Sequence, residues 1–68
     1  MIAEALSLRE GVIFAKLRDF SRVVLEVDCL EVVNLWNSRA TSRSVVAPIL
    51  LDIEGLAASF SFFLLFNM

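Results

Sequence analysis

The chain has 68 residues, 59% of them hydrophobic, with a net charge of −2, one cysteine and no histidine. That length allows one small domain at most, and the lone Cys29 excludes an internal disulfide or a multi-cysteine zinc site. Without histidine, Ser–His and Cys–His nucleophile pairs and His-ligated metals are impossible within the chain, which leaves carboxylates with hard cations such as Mg²⁺. The acidic balance argues against a nucleic-acid footprint built on bulk positive charge, though not against a few local arginines. Ordinary domains are about 45–50% apolar, so a sphere this small has too little interior for its apolar surface. Either a partner covers the excess or the chain is a piece of something larger.

Residues 2–17, IAEALSLREGVIFAKL, contain good helix formers and no proline, and predict a helix. Apolar residues surround most of its circumference, which predicts burial rather than a surface position. Glu4, Ser7, Gly11 and Arg18 share one stripe, and a glycine within it suits close approach of another element. Asp19 to Ser21 make a turn. Arg22 to Val27, nearly all apolar and β-branched, read as a strand buried on both faces. Asp28 then ends the strand and caps a second helix in an acidic variant of the capping box, with Glu31 reaching back. That helix ends near Trp36 or Asn37. Residues 37–44, NSRATSRS, are a polar loop. From Val45 to Ala57 the apolar positions Val46, Ile49, Leu50, Ile53 and Ala57 repeat with helical spacing, and Ser44 as cap makes Pro48 acceptable in the first turn. Ser59 to Phe66 form the last strand. The expected fold class is α/β, in the order helix, strand, helix, helix, strand, with the two strands parallel neighbours joined by a right-handed crossover.

This order brings two acids together. Glu4 to Leu17 spans about 20 Å of helix, and Arg22 to Asp28 about 20 Å of strand. A helix antiparallel to its following strand therefore returns the chain to its starting edge, where Glu4 and Asp28 flank a space suited to a cation. The alternative is structural: a glutamate in a first turn complements the helix dipole, and an aspartate at a cap satisfies free amides. Ligands in α/β proteins collect at the carboxyl ends of strands, where Asp28 stands.

The blocks AEALSLREGV (Ala3 to Val12), RVVLEVDCLEVVNLW (Arg22 to Trp36) and APILLDI (Ala47 to Ile53) resemble the plant type of ribonuclease H-like domain, found in retrotransposon-derived and stand-alone plant proteins. The resemblance extends to about Phe62. It implies a mixed sheet flanked by helices, and metal-dependent hydrolysis of the RNA strand of an RNA–DNA hybrid by two Mg²⁺ ions held by four carboxylates. Glu4 matches the glutamate of the family's first helix, and Asp28 the aspartate that ends its fourth strand. The family's other two carboxylates, in Asp-Gly and Asn-x-x-Ala-Asp contexts, have no counterpart in residues 1–68. The chain therefore reads as a single incomplete domain, truncated at both ends, that retains a two-strand remnant of the sheet. Weak or absent Mg²⁺ binding and little or no nuclease activity are the corresponding expectations.

Arg39 and Arg43 in the polar loop are candidates for phosphate contact, weighed against simple solvation, and Trp36 for base stacking, weighed against packing at a helix end. Cys29 reads as a small buried hydrophobe, with a reactive thiol at a helix start as the alternative. Leu56 to Phe66 falls short of the about 20 residues that span a bilayer, and the N-terminus lacks a basic signal-peptide region. A place in the nucleus or cytoplasm, away from membranes, follows. Three further readings remain beside the hybrid-binding one. These are a non-catalytic module that associates with a partner or itself through an exposed sheet face, a peripheral membrane peptide driven by its Phe-rich tail, and a decayed gene fragment.

Overall fold

The structure, a computed structural model, describes residues 1–41 and 43–68; Ser42, in the predicted polar loop, lies outside them. Five elements follow one another: α1 (Ile2–Leu17), β1 (Arg22–Val27), α2 (Leu30–Asn37), α3 (Ala47–Ala57) and β2 (Phe62–Asn67). The expected α/β order is present, and β1 and β2 pair in parallel, with Arg22 opposite Phe62 and Val27 opposite Asn67.

Helix α1 has the predicted bounds. Glu4 in its first turn and Lys16 in its last complement the helix dipole. Ala5, Leu8, Val12 and Ala15 form a single buried stripe, while Ile2, Phe14 and Leu17 are exposed. The expectation of burial all round is therefore corrected: the remaining elements cover one face of α1. The helix closes in a Schellman motif. Asp19 adopts a left-handed φ of 58°, its amide donates to the Lys16 carbonyl, and the Phe20 amide donates to the Ala15 carbonyl. Aspartate tolerates this conformation better than most residues, which is why the turn works without glycine.

Strand β1 alternates. Val23, Leu25 and Val27 turn inward, whereas Arg22, Val24 and Glu26 turn outward and are exposed. The expected burial on both faces is corrected by this alternation, because the helices pack on one side of the sheet and none of the described residues covers the other. Helix α2 starts one residue later than predicted. Its N-cap is Cys29, in an extended conformation and without a side-chain capping bond. The Asp28–Glu31 capping box does not form: β1 ends at Val27, the chain bends at Asp28, and the N-cap position falls to Cys29. Helix α3 likewise starts at Ala47 rather than Val45. The Ser44 hydroxyl accepts the Val46 amide at 3.3 Å and its carbonyl accepts the Ala47 amide at 3.0 Å, so Ser44 shapes the turn before the helix, whose N-cap is Val46.

Strand β2 begins at Phe62, three residues after the predicted Ser59. Ser59 and Phe60 instead close α3: the Ser59 hydroxyl donates to the Leu56 carbonyl, and the Phe60 amide to the Ala57 carbonyl. Pairing with β1 is reinforced at both ends. Ser61 donates its amide and hydroxyl to the Ser21 carbonyl, and Asn67 Nδ2 and the Met68 amide both donate to the Val27 carbonyl. The core lies between the inner sheet face and the helices, centred on Val12, Val32, Val46, Leu50 and Ile53, all fully buried.

Candidate functional site

A groove of about 360 Å³ opens where the first turns of α1 meet the carboxyl end of β1, and its lining includes Glu4, Ser7, Gly11, Glu26 and Asp28. Helical spacing delivers Glu4, Ser7 and Gly11 to one wall, as three residues of one stripe. The strand supplies the other. Gly11 does not mediate a close approach, because a methyl group added there meets nothing within 4 Å. That sequence expectation is corrected: Gly11 borders open space.

Glu4 and Asp28 thus line one groove, and both are exposed. Glu4 Oε1 lies 2.7 Å from the Met1 amine. Hydrogen bonding to that ammonium holds the Glu4 carboxyl below its ordinary 4.5, and Glu4 in turn holds the amine above its ordinary 8.0. The Glu31 carboxylate, in the first turn of α2, adds to the rise of the amine. The opening of α1 therefore sits beside the junction of β1 and α2, the edge that holds Asp28. Glu26 is a third acid in the groove and received no role from the sequence. Its signal was present, since it stands two residues before Asp28 near the carboxyl end of the strand.

Carboxylate oxygens suit Mg²⁺, but their number and convergence fall short. Among the described residues, no three His, Cys, Asp or Glu side chains gather in a way that could hold a metal ion.

The other residues singled out from the sequence lie elsewhere. Trp36 is 8% exposed, with its ring edge-on to Phe63 at 5.5 Å and the Arg39 guanidinium 3.8 Å over its face. Arg39 also bonds Glu54 at 2.7 Å through Nε and the Trp36 carbonyl at 2.7 Å through Nη1. These residues fasten the end of α2 to α3. Arg43 is exposed, and Cys29 packs in part against the core. No helix among the described residues is long and apolar enough to cross a membrane.

Neither a curated protein nor a solved structure matches the chain. A model of one family does, over residues 1–67. With nearly the whole sequence matched and the strand–acid–helix unit folded as that likeness implies, the chain belongs to the reverse transcriptase-like family, which is ribonuclease H-like.

Proposed function

We propose that this chain is a ribonuclease H-like nucleic-acid-binding unit of the plant type, related to retrotransposon-borne domains and acting in the nucleus or cytoplasm. The associated chemistry is metal-dependent hydrolysis of RNA in RNA–DNA hybrids. Glu4 and Asp28 are two of the carboxylates that such a site uses, and Arg43 is a phosphate contact at its periphery. Residues 1–68 alone do not cleave, because two carboxylates hold Mg²⁺ too weakly to replace its tightly kept water shell.

One observation carries this reading: the acid in the first turn of α1 and the acid that closes β1 line the same groove. The test combines Mg²⁺ titration followed by NMR with a cleavage assay on an RNA–DNA hybrid. Expected are weak Mg²⁺-dependent shifts at the groove, lost in both Glu4→Gln and Asp28→Asn, and no cleavage. Shifts that persist in both variants remove these acids from the site. Mg²⁺-dependent cleavage abolished by Asp28→Asn overturns the proposed inactivity.

A further inference from the structure

The outer face of the sheet consists of two short rows in register: Arg22, Val24 and Glu26 on β1, opposite Phe62, Leu64 and Phe66 on β2. Val24 is 55% exposed, Leu64 46%, Phe62 39% and Phe66 38%. The Arg22 guanidinium lies over the Phe62 ring at 4.8 Å. Among the described residues, neither Arg22 nor Glu26 makes an ion pair.

We propose that a second copy of the chain covers this face. The two sheets pack about 10 Å apart, related by a twofold axis that runs across the strands at the level of Val24 and Leu64. Such an axis reverses strand direction between the copies. Arg22 then faces the partner's Glu26, and Phe62 faces the partner's Phe66. Val24 and Leu64 each meet their own counterpart. The other available twofold, along the strands, sets Arg22 against the partner's Phe62 and Glu26 against the partner's Phe66, which desolvates charges without an opposite charge to meet them. Charge complementarity therefore selects the antiparallel arrangement, an isologous contact of the kind cyclic dimers use. Six side chains per copy fall short of the about 800 Å² per partner of a stable interface, so the dimer is weak and concentration-dependent.

Sedimentation equilibrium on the whole chain, up to concentrations on the order of 100 μM, tests this, with circular dichroism to verify that each variant is folded. Wild type dimerises reversibly, and Leu64→Glu is monomeric because like charges meet on the axis. Glu26→Arg weakens association by about tenfold, since it sets arginine against arginine, and Arg22→Glu combined with Glu26→Arg restores it. A wild type that stays monomeric overturns the proposal. Dimerisation unaffected by Leu64→Glu overturns it in favour of pairing through the free strand edge, and failure of the double charge swap to restore association overturns the antiparallel axis.

Discussion

Two polar regions of this molecule use charge in opposite ways. At the Trp36 corner, one guanidinium is engaged three ways: Arg39 covers the indole, bonds Glu54 and donates to the Trp36 carbonyl. At the groove, Glu26 and Asp28 make no ion pair among the described residues, and Glu4 is held by the terminal amine. The corner neutralises its charge and holds elements together. The groove gathers like charges at the carboxyl end of a strand, where they contribute nothing visible to packing. The arginine weighed as a phosphate contact is engaged within the fold by Trp36 and Glu54.

The sharpest way to break the comparison is Trp36→Ala. Removing a buried ring that contacts Phe63 and Arg39 should cost about 3–5 kcal/mol, read as the denaturation midpoint, and in a domain this small much of the population should unfold at ambient temperature. Next comes Arg39→Ala, expected to cost about 1–2 kcal/mol through loss of the carbonyl bond and the indole contact. The Glu54 bridge adds little, because both side chains are partly exposed. Arg39→Lys should recover only part of the loss, since lysine lacks the planar fork.

At the groove the expected signs differ. Gly11→Ala should stabilise by about 1 kcal/mol, as helix propensity improves and the added methyl meets open space; a loss in thermal melting would mean that the groove closes over Gly11 in solution. The smallest effect is the pH dependence of the Met1–Glu4 pair. Glu4 titrates below its ordinary 4.5, so its contribution is present above that value and fades as pH falls through the lowered one. The amine titrates above its ordinary 8.0, so its contribution is present below that value and fades as pH rises through the raised one. The melting-temperature difference between wild type and Glu4→Gln should therefore be greatest between these limits and shrink on both sides, by modest amounts because both groups are exposed.

Local chemistry carried much of this structure. The bounds of α1 and β1 follow from helix formers uninterrupted by proline and from a run of β-branched residues, and the parallel pairing follows from the crossover between strands. The starts of α2, α3 and β2 were less legible, because each depends on competition among neighbours for the same backbone groups. Asp28 could cap the helix or lie between strand and helix, and with β1 paired to Val27 and a bend at Asp28 the cap falls to Cys29. Ser59 could begin β2 or close α3, and the Leu56 carbonyl decided for closure. In the groove, Glu4 and Asp28 were legible because helix rise and strand rise give equal lengths, whereas Glu26, within a strand read as buried on both faces, received no role.

By itself the sequence determined the kinds of element, their order and the edge at which the two acids meet, all consequences of backbone geometry and local propensity. Only the tertiary structure decided which apolar residues are covered. A run such as Val23 to Val27 reads the same whether one face or both are packed, and the difference lies in what other elements supply. The same holds for Arg39 and Trp36, whose functional or structural character depends on whether Glu54 and Phe63, distant in the chain, come within reach of them.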